Sequence, residues 1–232
     1  FRRRQRQMCI RDRSGTYSRA ISTDIALAQT YFDQGLRLAW GFYFPESIAS
    51  YQEASRLDPT HPMPYWGIAH AAGPNPNSRY AQMPDDPQGS GLAAIEAALD
   101  RIDRATPMEA ALIKALYVFY NAKSIPDPRE RDRAYLAEMR KLNKQYPNDP
   151  DVAALYAGSF MSIRRWDYWD KSGEAKGETL AVAEALEHVI TTGDPHPGVY
   201  HLHIHLIEAS LEPERAMVSA DALEACLLYT SP

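Results

Sequence analysis

The sequence predicts an all-α protein built from paired helices, and three observations support that fold class. Apolar residues recur at helical spacing along nearly the whole chain, whereas the alternation typical of a half-buried strand is scarce. Prolines stand at the starts and ends of these apolar segments, where they begin or stop a helix. Two long segments, 73–91 and 164–177, are rich in proline, glycine or charged residues and are predicted as loops.

The predicted helices follow in order from these signals. Thr23 is a suitable N-cap for the first helix, Pro45 suits the first turn of the second, and Pro59 stops it. The later helices are placed by their apolar period and by the prolines that flank them. The predicted spans are about 23–40, 46–57, 62–72, 92–105, 107–121, 128–145, 149–161, 179–191, 198–210 and 212–225.

The joints between these helices repeat one plan. The segments LDPTHPMPYWGIAHA, YPNDPDVAALYAGSF and GDPHPGVYHLHIHLI each contain a helix end, a proline, a short polar turn and a new helix. Pro59, Pro147 and Pro195 hold the equivalent place and stop the preceding helix, because proline lacks the amide donor. A helix-turn-helix unit cannot bury its own apolar face alone, so we expect successive units to stack.

The first unit resembles the tetratricopeptide repeat (TPR). Its bulky and small residues fall at the spacing of that repeat: Tyr31, Gly35, Leu38, Tyr51, Ala54 and Pro59. Ser47 stands where the repeat usually has alanine, which is a mild departure. The resemblance implies an α-solenoid of TPR-like helical hairpins, interrupted by two long loops, whose concave surface binds a protein or peptide partner.

A narrower resemblance covers most of the chain. The segments FDQGLRLAWGF, YWGIAHAAGPNPN, RRWDYWD and HLHIHLIEASLEPERA resemble landmark segments of a group of bacterial TPR-containing proteins without an assigned reaction. That group continues beyond the PERA segment with a further histidine-bearing stretch. The resemblance implies a bacterial protein, in the cytoplasm or the periplasm, and it supports the fold more than any activity.

The two ends resemble the translated adapter of a transposase-based sequencing library. Residues 8–12 and 226–231 can be encoded by opposite strands of one DNA segment, which two unrelated natural termini should not share. We therefore expect residues 1–13 and 226–232 to be non-native, and residues 14–225 to be a TPR-like helical repeat domain from a longer protein. The alternative is a natural basic arm and a natural apolar tail.

Excluding these ends changes which function classes remain. Both cysteines, Cys9 and Cys226, lie there, so the rest of the chain offers no disulfide framework, thiol nucleophile or cysteine metal site. Without the six arginines and one aspartate of residues 1–13, the formal net charge falls from −5 to about −10, which argues against nucleic-acid binding. No apolar run approaches the roughly 20 residues of a membrane span.

One helix carries the main candidate site. At about 100° per residue, His201, His205 and Glu208 lie within an arc of about 60°, while His203 points to the other side. Histidines one turn apart have the spacing of zinc-binding helices, so a divalent metal ion is the candidate cofactor. Glu208 is a third ligand or, more easily, an acceptor that orients His205. The residues that could complete the site from other segments are His70, Asp167 and Asp170. The alternatives are a structural polar network between packed helices and acid–base catalysis.

Two loops carry further candidate ligand-binding residues. They are Asn75, Asn77 and Tyr80 in GPNPNSRY, and Trp166, Asp167, Trp169 and Asp170 in RRWDYWD. Loops often hold binding residues, and interleaved aromatic and charged groups suit a polar ligand or a peptide end. The alternative is that the second loop is an aromatic plug over a helix edge.

Two functions therefore stay open. The TPR-like scaffold that binds a protein or peptide is favoured, provided that its concave face is long and open. The alternative is a metal- or small-ligand-binding protein, with or without enzymatic activity, centred on His201, His205 and Glu208. If this stripe meets Asn75, Asn77 and the 166–170 loop in space, a binding site gains support; if they lie apart, a packing role does.

Overall fold

The computed structural model describes residues 15–76 and 83–226 of the 232-residue chain. These ranges contain ten α-helices, two short 3₁₀ turns and no β-strand beyond a single bridge between Trp169 and Ala175. The helices are α1 (Ala26–Trp40), α2 (Phe44–Leu57), α3 (Met63–Ala72), α4 (Pro87–Leu99), α5 (Pro107–Tyr120), α6 (Pro128–Gln145), α7 (Pro150–Arg164), α8 (Thr179–Thr192), α9 (Pro197–Ile207) and α10 (Met217–Cys226).

Consecutive helices pack against each other along the chain, which confirms the prediction of an all-α fold assembled from adjacent pairs. Alternate helices also touch: α1 contacts α3, α3 contacts α5, and α7 contacts α9. The late helix α9 contacts α1 as well. Helix α7 is the centre of this arrangement, since every residue from 151 to 161 is buried.

Side-chain caps explain where many of the helices begin. An oxygen or ring nitrogen of the N-cap residue accepts a hydrogen bond from a backbone N–H in the first turn, and a proline follows each of these caps. The capping residues are Asp86, Thr106, Asp127, Asp149 and His196. At Thr106 the cap is reciprocal, because the Glu109 carboxylate accepts from the Thr106 N–H.

The prediction is wrong at the end of the first long loop. Helix α4 begins at Pro87, inside the segment 73–91 that was predicted as loop, because Asp86 caps it by accepting from the N–H of Gly89. Gly91 serves packing here, since a Cβ at this position would collide with the Tyr120 ring. Helix α4 also stops at Leu99 rather than near residue 105, and a 3₁₀ turn, Ile102–Arg104, follows.

The first helical pair shows why small residues were needed. A Cβ added to Gly35 would lie 2.8 Å from the Tyr51 ring, and one added to Gly67 would lie 2.5 Å from it. The Tyr51 ring therefore fills the space that two absent side chains leave between α1, α2 and α3. Ser47, the departure from the repeat pattern, donates a hydrogen bond of 2.7 Å to the Gly35 carbonyl.

Within the described ranges, no helix has the length and the apolar character needed to cross a membrane.

Candidate functional site

A narrow cleft lies between four helices that we call the inner helices (α1, α3, α7 and α9). Its cavity volume is about 20 Å³, which is enough for about one water molecule. The polar side chains that line it are His70, Asn75 and His201. Its walls are the Trp40 and Phe42 rings, and Gly158 and Gly198 also line it. The cleft thus brings His201 and Asn75 together, although they come from segments more than 100 residues apart.

His70 is the most deeply buried polar group of the cleft. Its ring stacks on Trp66 with centroids 5.2 Å apart and an interplanar angle of 3°, and it lies 5.4 Å from the Trp40 ring. Burial lowers the pKa of His70 to about 4, although the charge of Asp151 acts in the opposite direction. The Nδ1 atom is buried without a hydrogen-bond partner among the described residues. A water molecule in the cleft would supply that partner.

The predicted stripe on α9 is present. The His201 and His205 ring centroids are 4.6 Å apart, and the Phe42 ring lies 4.7 Å from His201. Burial, helped by the neighbouring His205, lowers the pKa of His201 to about 4, so this ring is neutral at physiological pH. Glu208 lies 3.0 Å from the Nδ1 atom of His205. Because a carboxylate only accepts, Nδ1 donates, and the neutral ring then carries its lone pair on Nε2.

His203 lies on the other side of α9, as the helical angle predicts. It is buried, with its Nδ1 atom 2.9 Å from the Ser219 hydroxyl and its Nε2 atom 3.3 Å from the Glu187 carboxylate. Its contacts therefore join α9 to α8 and α10 rather than to the cleft.

The side chains of the second predicted loop contact two different parts of the molecule. Trp166 lies 5.9 Å from the His205 ring, and the Trp169 indole N–H donates to the Leu206 carbonyl at 2.6 Å. These aromatic rings pack on α9. The two aspartates make their described contacts within their own loop: Asp167 accepts from Lys176, and Asp170 accepts from Ser172.

Two of the predicted ligand-binding residues, Asn77 and Tyr80, lie outside the described residues. Across the described ranges, no group of three or more histidine, cysteine, aspartate or glutamate side chains is placed to hold one metal ion. The structure therefore places His201 and His205 together. His70 lines the same cleft as His201, whereas Asp167 and Asp170 make their described contacts within their own loop.

Sequence reasoning missed a buried polar centre next to the cleft. The Asp151 carboxylate accepts four hydrogen bonds: from Tyr17 at 2.6 Å, Arg19 at 2.9 Å, Trp40 at 3.2 Å and His196 at 2.9 Å. Because the N–H of Val199 donates to the His196 Nδ1 atom, the Nε2 atom carries the proton and donates to Asp151. Burial raises the pKa of Asp151, but His196 and Arg19 oppose it and hold the pKa well below its usual range.

This centre fixes an extended segment that we call the N-terminal strap (residues 15–25). The strap is also held at a second point, where the Ser22 hydroxyl donates to Glu109 at 2.7 Å and lies 2.9 Å from the His61 Nε2 atom. Although serine, histidine and glutamate meet here, they do not form a catalytic triad. The His61 Nδ1 atom accepts from the N–H of Met63, so Nε2 is protonated and cannot take the proton of Ser22.

The two points that hold the strap, which we call the Asp151 anchor and the Glu109 anchor, have only weak signals in the sequence. Both histidines precede a proline at a helix start, which was recognised only as a helix boundary. Nothing local links Asp151 to Tyr17, which is 134 residues away.

Comparison with protein-family models and with curated proteins found no match to this chain.

Proposed function

We propose that this protein binds a divalent transition-metal ion through His201 and His205 on α9. The separation of the two rings, 4.6 Å between centroids, carries the proposal. Two imidazoles bound to one zinc ion at about 2.1 Å, in a tetrahedral arrangement, have ring centres about 5 Å apart. The observed separation is close to that value.

Protonation supports the same assignment. A metal ion needs neutral imidazole, and burial keeps His201 neutral at physiological pH. The Glu208 carboxylate accepts from the Nδ1 atom of His205, which is the arrangement that orients metal-ligating histidines in other proteins.

Water would complete the coordination. Since no third histidine or carboxylate ligand is in place among the described residues, the remaining positions fall to water or to an added ligand. His201 also lines the cleft with Asn75, and the cleft has room for about one water molecule beside them. We infer that the ion is exchangeable rather than structural.

The scaffold of this site is, in our proposal, a set of diverged TPR-like hairpins. The packing of Tyr51 against Gly35 and Gly67 and the sequential pairing of helices support it. A peptide-binding groove on the inner face has less support. Helix α9 packs on α1 there, and the Trp40 ring lies directly against Gly198.

Calorimetric titration of the chain with zinc chloride and nickel chloride tests the proposal. The protein carries Cys9→Ser and Cys226→Ser so that thiols do not contribute. We expect one ion per chain, and His201→Ala and His205→Ala each to weaken binding at least tenfold. Glu208→Gln should weaken it by roughly 10- to 100-fold. His188→Ala is the matched control, because this α8 histidine is exposed and its ring lies 2.6 Å from Asn148, away from the lining of the cleft.

Equal affinity in the parent and in the His201→Ala and His205→Ala variants would refute the proposal. Thermal unfolding of each variant, recorded without metal, separates a lost ligand from a lost fold.

A further inference from the structure

A second and larger concavity lies between α6, the end of α7 and the 165–178 loop. We call it the α6–α7 groove; it is lined by Arg133, Leu136, Phe160, Ile163, Arg164 and Gly177, with two carboxylates at its edge. Its volume is about 390 Å³, within the range of sites for small organic ligands. It shares no lining residue with the cleft or with the His201–His205 pair.

The floor of the groove is apolar and well packed. Leu136 and Phe160 are 8 % and 3 % exposed, and Ile163 is partly buried against the core. Such a floor favours an apolar group over a fully hydrated ion.

The charge at the rim is positive, because both carboxylates are already paired. Glu178 forms a two-point ion pair with Arg140 and also accepts from the Tyr156 hydroxyl at 2.9 Å. Asp167 accepts from Lys176 at 2.5 Å. Burial opposes the ionised form of Glu178, but the hydrogen bond from Arg140 lowers its pKa.

Two arginines, Arg133 and Arg164, line the groove. Arg164 reaches Asp167 only at 3.9 Å, and that carboxylate is shared with Lys176. Arg133 is exposed and forms no ion pair with any residue in the described ranges. The groove therefore joins an apolar floor to two arginines, of which Arg164 is paired only at 3.9 Å with a carboxylate that Lys176 shares.

Gly177 helps to set the position of one of them. Its φ is +61°, a left-handed conformation that favours glycine, and a Cβ there would lie 2.6 Å from the Arg164 guanidinium. The missing side chain lets the guanidinium lie against the loop at the mouth of the groove.

We propose that the α6–α7 groove binds an organic carboxylate with an apolar tail, its carboxylate on Arg133 and Arg164 and its tail on Leu136 and Phe160. Arginine suits this role because its planar fork matches a carboxylate with two parallel hydrogen bonds. A free organic acid and the C-terminal end of a peptide whose last side chain is apolar both present a carboxylate beside an apolar group.

Titration followed by NMR, with octanoate as the probe, tests the groove. Octanoate should bind in the groove, and its neutral isostere octanamide should bind at least tenfold more weakly. The double variant Arg133→Gln, Arg164→Gln should weaken octanoate binding by roughly 10- to 100-fold, as expected for lost charge-assisted hydrogen bonds. Arg129→Gln is the matched control, since this exposed α6 arginine lies outside the groove.

Further titrations distinguish a free acid from a peptide end as the source of the carboxylate. A pentapeptide ending in leucine that binds more tightly than octanoate, but not when amidated, would support the proposal with a peptide end as the ligand. Stronger binding of octanoate would support it with a free acid. Gly177→Ala should weaken either ligand several-fold by displacing Arg164.

Equal binding of octanoate to the parent and to the double arginine variant would overturn the proposal. So would binding of inorganic phosphate as tight as that of octanoate, because the apolar floor would then contribute nothing. Chemical-shift dispersion shows whether each variant is folded.

Discussion

The strap is fastened at two points, and they differ in how the buried charge is compensated. At Asp151, the partners come from the strap, α1 and α9, and one of them, Arg19, carries a full charge. At Glu109, the partners are the backbone and hydroxyl groups of Ser22 and the backbone N–H of Thr106. Both carboxylates are almost fully buried.

The Asp151 contact therefore joins distant parts of the fold, whereas the Glu109 contact mainly caps one helix end. Loss of the Asp151 charge removes one of the two carboxylate partners of the buried Arg19 guanidinium and loosens three distant elements at once. Loss of the Glu109 charge leaves dipoles that water can reach, since Ser22 is exposed. The two anchors should therefore respond very differently to the same substitution.

The largest effect is expected for Asp151→Asn. This change keeps the shape of the side chain and removes the charge that Arg19 faces, so the free energy of unfolding should fall by about 3 kcal/mol, near the lower end for a broken buried pair. The lower end applies because Arg19 also contacts Asp149 at 3.0 Å. Urea unfolding measures the change, with Asp103→Asn, an exposed carboxylate on the 3₁₀ turn, as the control. A loss below 1 kcal/mol would contradict the comparison.

A second effect concerns pH and is expected from the buried histidines of the cleft. The pKa of His70 is about 4 in the folded protein and about 6.5 when unfolded, so the unfolded chain binds the extra proton first. The contribution of His70 to the free energy of unfolding is fully present above about pH 6.5, and it falls by about 3 kcal/mol as the pH is lowered to 4. His201, whose pKa is also lowered to about 4, adds to the loss in the same window.

Urea unfolding at several pH values measures whether the free energy of unfolding falls as the pH is lowered. His70→Phe preserves an aromatic ring between Trp66 and Trp40, and it should flatten the curve between pH 6.5 and 4. The low pKa of Asp151 places its own loss at more acidic pH, below about 4. An unchanged slope in His70→Phe would show that this histidine is not held neutral.

The smallest effect is expected for Glu109→Gln. The amide has one acceptor oxygen where the carboxylate has two, so it keeps the bond from either the Ser22 N–H or the Thr106 N–H, but not both. The free energy of unfolding should therefore fall by about 1–2 kcal/mol. Thermal unfolding of this variant beside Asp151→Asn makes the comparison direct. If both variants lose the same stability, the distinction between a local and a long-range anchor is wrong.

The sequence predicted the helices well where local signals agreed. Helix α6 has the predicted bounds, because a cap at Asp127, a proline and a steady apolar period all point to one element. Helix α4 was misplaced because Gly89 and Gly91 look like loop residues until the Tyr120 ring that requires Gly91 is known.

The candidate site was predictable only in part, because contacts between distant segments leave no local signal in the sequence. Helical spacing predicts the pair His201 and His205, since both lie on one turn-to-turn stripe. Their meeting with Asn75, and the part of Asp151 in holding the strap, depend on contacts between distant segments. No period or cap in the sequence encodes such contacts.

The central claim is that one metal ion binds both His201 and His205. Long-range ¹H–¹⁵N NMR spectra of the imidazole nitrogens, recorded during a zinc titration of the chain without its cysteines, test it most directly. The ring nitrogens of His201 and His205 should shift together and saturate at one ion per chain, while those of His203 and His196 stay in place. Shifts confined to other histidines, or no saturable shift in this pair, would contradict the claim.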